Sequence, residues 1–185
     1  ETFKRKKVLV SPANPTPVIF QQTQLALPQI AFGKAKWARY FGNIGVEPPL
    51  PPNIHEILNA PCPFWPGKHV HETHLLTLIP RTVNRKPFTL DRLRKLVQNP
   101  RNSVRTTEYR DYLDKIQREH GSTVLPASYW VFLTKGVIPS GGDKTYDAQR
   151  QLLATYNQKS NLTYEVPTLL EAATSILIEH VQNGT

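Results

Sequence analysis

The chain has 185 residues, of which 39% are hydrophobic and 20% are charged, and its formal net charge is +9. This composition excludes an intrinsically disordered protein, and a single cysteine excludes a disulfide scaffold. The length suits one domain, and no apolar run approaches the roughly 18 residues of a membrane-spanning helix. We therefore expect a soluble protein, in a compartment that the sequence does not identify.

Residues 1–30 combine a basic opening, "KRKK", with proline- and glutamine-rich stretches that have no sustained period. They predict an N-terminal arm or linker, with short strands at "KVLV" and "PVIF". Residues 31–185 are expected to form a single globular domain.

The globular part begins with "FGKAKWARYFG", which predicts a short aromatic helix ended by Gly42. A proline run then holds the backbone extended in a polyproline-like form, and its members are Pro48, Pro49, Pro51 and Pro52. Such a run is a stiff connector or a ligand for an aromatic-lined groove on another protein. Asn53 is expected to cap the next helix, "IHEIL".

The middle of the chain predicts a strand at "HLLTLIP" and two helices. Thr89 is expected to cap the helix "LDRLRKLVQ", and the helix "TEYRDYLDKIQREHG" is expected to end at Gly121. In the first of these helices the predicted buried stripe is Leu90, Leu93 and Val97, and the predicted outward-facing bases are Arg92, Arg94 and Lys95.

The last third predicts a strand at "SYWVFLT" and two more helices. One runs from a Thr145 cap to about Tyr156, with Tyr146, Gln149 and Leu153 along the same side as Tyr156. The other begins at Pro167 and stops before Gly184. The whole pattern predicts an α+β or mixed α/β domain, in which a small sheet is covered by four or five helices and an N-terminal arm extends from it.

The stretch "PCPFWPGKHVHETH" crowds chemistry-bearing residues together and suggests two kinds of site. A zinc site would use His69, His71 and His74 with Cys62 or Glu72 as a further ligand. The structural alternative, which we favour, makes two histidines solvated loop residues and the third a hydrogen-bonded residue at a strand end. We expect no cofactor, with zinc as the alternative.

A Cys62 nucleophile activated by a histidine such as His74 is the second kind of site, and it would make the protein a hydrolase-type enzyme. Cys62 lies between Pro61 and Pro63, which remove the local amide donors that an oxyanion hole needs. We expect instead a small buried residue packed under Trp65.

Two further patterns are candidates for anion binding. Gly141 and Gly142 precede a helix and Lys144 lies beside them, but the full P-loop pattern is missing, so a plain loop with a Thr145 cap is expected. Residues 81–118 hold eleven bases and four acids, which predicts a nucleic-acid-binding module as an alternative function. The bases chosen as its contacts are Arg92, Arg94, Lys95, Arg101 and Arg105.

Long phrases of the sequence carry a family resemblance, among them "PCPFWPGK", "THLLTLIP", "SYWVFLTKGVIP" and "YEVP". From about Leu25 to Thr185 the chain resembles a family of effector-like proteins of environmental, amoeba-associated chlamydiae that has no assigned activity. Members often carry F-box, BTB-like or leucine-rich-repeat segments. The resemblance implies a protein of the bacterial cytoplasm or one delivered into a host cell.

The sequence as a whole therefore predicts a non-enzymatic protein-recognition module with a protein partner, for which a host protein is a candidate. An aromatic residue beside a rigid loop is able to anchor an interface. The residues expected to bind the partner are Trp65, Phe64, Pro48, Pro49, Pro51 and Pro52. The enzyme and the nucleic-acid module stay open as alternatives.

Overall fold

A computed structural model describes residues 7–9, 30–102, 113–158, 160 and 162–183. The strands are β1 (Lys7–Leu9), β2 (Ala31–Phe32), β3 (His74–Ile79), β4 (Thr82–Val83), β5 (Lys86–Pro87), β6 (Tyr129–Thr134) and β7 (Thr163–Glu165). The helices are α1 (Lys34–Tyr40), α2 (Ile54–Asn59), α3 (Val70–Thr73), α4 (Leu90–Gln98), α5 (Leu113–His120), α6 (Tyr146–Asn157) and α7 (Leu169–Asn183).

Five strands form one sheet in the order β2-β3-β6-β1-β7, and β4 and β5 form a separate hairpin. Strand β1 is antiparallel to both its neighbours, with Val8 opposite Phe132 of β6 and Tyr164 of β7. The α+β fold with a small sheet is thus confirmed, as are the strands at "KVLV", "HLLTLIP" and "SYWVFLT". The strand predicted at "PVIF" lies outside the described residues.

The chain divides into two compact units. Unit 1 is Glu1–Ala31, Pro49–Leu76 and Trp130–Pro167, and unit 2 is Phe32–Pro48, Thr77–Tyr129 and Thr168–Thr185. Strands β2, β3 and β6 each contribute residues to both. The expectation of a single domain over residues 31–185 stays a prediction.

Unit 1 is built on a core of apolar side chains from α2, the loop that follows it, and the strands. Its buried members are Ala31, Ile54, Ile57, Leu58, Cys62, Phe64, Val70, Leu76, Phe132, Ile138, Leu153 and Tyr164. Leu50 and Trp65 pack against this cluster from its edge and remain partly exposed. Burial of this apolar surface is the main source of stability for the unit.

Unit 2 is organised around Trp37 of α1, whose side chain is completely buried. Its indole Nε1 donates a hydrogen bond to the Leu78 carbonyl at 2.9 Å, which satisfies its polar atom. Phe32 and Phe88 meet the indole edge-on, with ring centroids 5.6 and 5.3 Å away. The predicted aromatic helix is therefore confirmed, and Gly42 follows its end with a φ of +134°.

Two predicted helix caps are confirmed. Thr89 Oγ1 accepts a hydrogen bond from the Arg92 amide at 3.2 Å, and Thr145 Oγ1 accepts one from the Ala148 amide at 3.3 Å. Asn53 stands at the capping position of α2 as predicted, but its side chain makes no capping bond.

The last helix begins later than predicted. It starts at Leu169, not at Pro167, because Thr168 and Glu171 form a capping box. Glu171 Oε2 accepts from the Thr168 amide at 2.8 Å, and Thr168 Oγ1 accepts from the Glu171 amide at 3.3 Å.

Helix α4 presents a different face from the predicted one. Leu96 is buried while Leu90 is only half-buried, so the stripe is Leu93, Leu96 and Val97. Arg92 does not face outward: it is half-buried, and its Nε is buried without a hydrogen-bond partner among the described residues. In α6, Gln149 and Leu153 are buried, whereas Tyr146, which was predicted on the same side, is 57% exposed.

Candidate functional site

The stretch from Pro61 to His69 folds into a closed loop in unit 1. The Cys62 amide donates to the Lys68 carbonyl at 2.7 Å, and the Val70 amide donates to the Ala60 carbonyl at 3.0 Å. Gly67 turns the chain with a φ of +77°, a conformation that glycine adopts without a steric penalty. The prolines and the crossing hydrogen bonds give this loop a fixed shape.

Two side chains of the loop point into the core of unit 1. Cys62 is 5% exposed and Phe64 is 3% exposed. The Phe64 ring lies edge-on to Tyr156 and Tyr164, with centroids 4.7 and 4.6 Å away. Phe64, expected from the sequence to contact a partner, is thus not on the surface.

Trp65 lies at the edge of the same core. It is half-buried and meets Phe64 at a ring-centroid distance of 5.8 Å and an angle of 76°. One part of the indole stabilises the loop, and the rest faces solvent. Of the two aromatic residues chosen for partner binding, Trp65 alone presents surface to a ligand.

His69 precedes the one-turn helix α3, which the sequence did not predict, and His71 lies within it. Their rings stack at 5.7 Å. His71 Nδ1 lies 3.0 Å from the Leu58 carbonyl, so this nitrogen carries the proton and donates. The His69 amide donates to Glu72 Oε2 at 2.6 Å, and this bond is the main reason that the pKa of the Glu72 carboxyl is lowered.

His74 is separated from the other two histidines by burial. Its side chain is 1% exposed, its Nδ1 lies 2.9 Å from Thr73 Oγ1, and its Nε2 has no hydrogen-bond partner among the described residues. Burial lowers the pKa of His74 to about 4, and the positive charge of Lys135 acts in the same direction. The ring is therefore neutral at pH 7.

The histidines and Cys62 do not converge on a metal site. Within the ranges that the structure describes, no group of three or more histidine, cysteine, aspartate or glutamate side chains is placed to hold a metal ion. His69 and His71 face solvent at least in part, whereas His74 and Cys62 are inside.

Cys62 and His74 both border Tyr164, a residue of β7 that sequence reasoning did not select. The His74 and Tyr164 ring centroids are 5.9 Å apart. Burial is the main cause that raises the pKa of the Tyr164 hydroxyl. Tyr164 is 2% exposed, so a substrate reaches none of these three side chains unless unit 1 opens.

The glycine loop before α6 is held by hydrogen bonds from a buried side chain. Gln149, which is 1% exposed, donates from Nε2 to the Lys144 carbonyl at 3.2 Å and to the Gly141 carbonyl at 3.4 Å. The Gly141 amide donates to the Ile138 carbonyl at 2.9 Å, so it is not free for an anion. The expected plain loop with a Thr145 cap is what the structure contains.

The proline run is anchored where it enters unit 1. Leu50 packs on the core, and the Pro51 carbonyl accepts a hydrogen bond from the Ile54 amide at 3.0 Å. Pro49 and Pro52 are exposed on either side of these anchors, and Pro51 is half-buried. Pro48 belongs to unit 2 and is also half-buried.

The bases chosen for nucleic-acid binding have different surroundings. Arg94 and Lys95 are exposed on α4, and Arg94 donates to Gln117 Oε1 at 2.6 Å. Arg101 is exposed after the end of α4, Arg92 is half-buried, and Arg105 lies outside the described residues. They do not form a single exposed row.

No protein-family model matches the chain, and comparisons with curated proteins and with solved structures found no match either. The family resemblance and the functions drawn from it therefore stay predictions. In the part of the chain that the structure describes, no helix is both long and apolar enough to span a membrane.

Proposed function

We propose that the chain is a non-enzymatic recognition module that binds a protein through the proline run of unit 1 and the exposed part of Trp65. The observation that carries the proposal is the anchored proline run. Pro49 and Pro52 present apolar rings to solvent while Leu50, between them, packs against the edge of the core. A segment fixed in this way loses little conformational freedom on binding, so more of its contact energy appears as affinity.

Three side chains that suggest catalysis in the sequence have structural roles in unit 1. Cys62 fills the core, His74 is buried at the start of β3, and the His71 Nδ1 proton is bonded to a carbonyl. Trp65 is the type of residue that dominates interface energies when its exposed part enters a pocket.

The proposed setting is an effector-like bacterial protein that acts on a host protein, and it is supported by the sequence resemblance alone. Since that family is associated with amoebae, an amoebal lysate is the natural source of the partner.

The test is quantitative capture from an amoebal lysate on the immobilised full chain, with mass spectrometry of the bound proteins. A double variant, Pro49→Glu with Pro52→Glu, places two charges on the anchored run. We expect a partner of the wild-type chain to be retained at most one-tenth as well, since a loss of about 1.4 kcal/mol weakens binding about tenfold.

The matched control is Val137→Glu with Tyr146→Glu, which adds the same two charges at exposed apolar positions of unit 1, 46% and 57% exposed. Thermal unfolding of both variants checks that they are folded. Equal capture by the two variants, or no protein enriched by the wild-type chain, contradicts the proposal.

A further inference from the structure

Three segments of unit 2 meet around the C-terminal end of α1. The Asn84 side chain, in the turn of the β4–β5 hairpin, donates to the Phe41 carbonyl at 3.2 Å. The Arg101 amide donates to the Tyr40 carbonyl at 2.9 Å, and the Asn102 side chain donates to the Arg39 carbonyl at 2.8 Å.

Gly42 makes the close approach of the hairpin possible. Its φ is +134°, and the Asn84 side-chain amide occupies the space that a Cβ atom on Gly42 would need. The same amide accepts a hydrogen bond from the Asn43 amide at 3.0 Å. The hairpin turn is therefore held against the end of α1 by both its shape and its hydrogen bonds.

These hydrogen bonds also decide what the basic side chains near the end of α1 contact. The last carbonyls of a helix lack partners within the helix, and lysine and arginine side chains often supply them. At the end of α1, asparagine side chains and backbone amides do so instead. The basic side chains here are left to face solvent.

The three segments, residues 32–43, 80–88 and 99–102, contain seven bases and no acid. Four of these bases lie next to the hydrogen bonds just described and are exposed; we call them the α1-end basic surface, and they are Arg39, Arg85, Lys86 and Arg101. None of the four lies within ion-pair distance of a carboxylate of the described residues.

We propose that the α1-end basic surface binds the phosphate backbone of a nucleic acid. Three of its four bases are arginines, whose planar guanidinium groups pair with phosphate through two hydrogen bonds. Unneutralised positive charge on one surface gains affinity by releasing the counterions of the polyanion.

The aromatic residue at this surface points to backbone contacts and not to base stacking. Tyr40 is half-buried, stacks on Phe32 at a centroid distance of 6.0 Å, and has the Arg39 guanidinium 5.4 Å from its ring centroid. With the ring engaged in this way, binding depends on charge, so it is insensitive to base sequence and steeply dependent on salt.

This surface differs from the set expected from the sequence, with which it shares only Arg101. It is also independent of the protein-recognition proposal, because it uses other residues of the chain. Helix α4, which carries most of the expected set, has Arg94 bonded to Gln117 and Arg92 half-buried.

The test measures binding of a fluorescent mixed-sequence single-stranded DNA of about 30 nucleotides to the full chain by anisotropy, between about 50 and about 300 mM salt. Arg39→Gln with Arg101→Gln removes two charges from the surface. The matched control, Arg94→Gln with Lys95→Gln, removes two exposed charges from α4. We expect the first pair to weaken binding about tenfold or more and to reduce the slope of log K against log salt by about 1.4, because each lost phosphate contact accounts for about 0.7.

Several results would overturn the proposal: no binding of the DNA by the wild-type chain, or equal losses in the two double variants. Tighter binding to phosphatidylserine vesicles with the same dependence on Arg39 and Arg101 would assign the surface to a membrane instead. If the first pair loses its cooperative unfolding transition, Arg85→Gln with Lys86→Gln tests the same surface from the hairpin, with the same expected loss against the α4 control.

Discussion

His74 is an ionisable side chain held in its neutral form by the fold. It lies in the core of unit 1 with Phe64 and Tyr164 near its ring, at centroid distances of 6.1 and 5.9 Å. Lys135, whose amide donates to the Thr73 carbonyl at 2.9 Å, adds positive charge nearby. Protonation of His74 in the folded state is therefore opposed by burial and by charge.

We predict that His74 makes the protein sensitive to acid. Its pKa is about 4 in the folded protein and 6.5 when exposed, so the unfolded state takes up the proton first. The contribution of His74 to stability is complete above pH 6.5, declines as the pH falls, and is lost once the pH passes through about 4. Between about pH 7.5 and about pH 4.5 the free energy of unfolding should fall by roughly 2–3 kcal/mol from this group.

Urea unfolding of wild type and His74→Leu at both pH values measures this effect. The leucine variant does not titrate at this position, so the pH dependence of the difference between the two proteins isolates His74. If the free energy of unfolding changes equally with pH in the wild type and the leucine variant, His74 is not buried as described.

At the residue scale, sequence reasoning succeeded where the determinants are local. A histidine at the start of a strand was expected to be hydrogen-bonded there, and His74 is. Its lowered pKa is caused first by burial, with Tyr164 near its ring, and then by the charge of Lys135. Both residues are distant from His74 in sequence, so no local pattern predicts the shift. Burial of Phe64 was missed for the same reason.

Helix caps show the same limit at the scale of an element. Thr89 and Asn53 are both favourable cap residues, yet only Thr89 uses its side chain. Thr89 has the extended backbone that a capping side chain requires, with φ −127° and ψ 170°, whereas Asn53 has φ −93° and ψ 21°. The sequence shows which residue types are able to cap a helix, but it does not show whether the backbone at that position has the conformation that capping requires.

This difference predicts unequal costs of alanine substitution. Thr89→Ala removes the hydrogen bond to the Arg92 amide and should lower the free energy of unfolding by about 1 kcal/mol. Asn53→Ala removes no capping bond, so its cost should be a few tenths of a kcal/mol at most. Urea unfolding of the two variants checks this, and equal losses would contradict the assigned caps.

Periodicity predicted the middle of most helices and strands, but it predicted the buried side of α4 only in part. In α4 the buried residue is Leu96 and not Leu90, because α4 packs against α7 and the direction of that contact is set by tertiary structure. Helix α3 was missed because one turn of helix is too short to show a period.

At the scale of the molecule, composition and element types were enough to predict an α+β fold with a small sheet. The strand order was not predictable, because β1 from the start of the chain pairs with β6 and β7, far along it. The division of the chain into two units, each assembled from three separate segments, has no local signal either.

Of the two candidate surfaces, the sequence predicts the one that lies in a single segment better than the one that is assembled from distant segments. The anchored prolines form a run in the sequence, so the sequence alone points to Pro49 and Pro52. The α1-end basic surface depends on three segments meeting. Three of its four bases, Arg85, Lys86 and Arg101, lie within the predicted basic region 81–118, but only Arg101 is among the predicted contacts.

Cys62 distinguishes recognition from catalysis most directly, since a reactive thiol must be accessible and a core thiol is not. As the chain has one cysteine, a thiol reagent reports on Cys62 alone. The decisive measurement is its labelling rate in the full chain at increasing urea concentration. We predict labelling roughly a thousandfold or more slower than in the unfolded chain, rising with urea in parallel with global unfolding. Rapid labelling of the folded protein that is indifferent to urea would place Cys62 at an accessible site and contradict the recognition account.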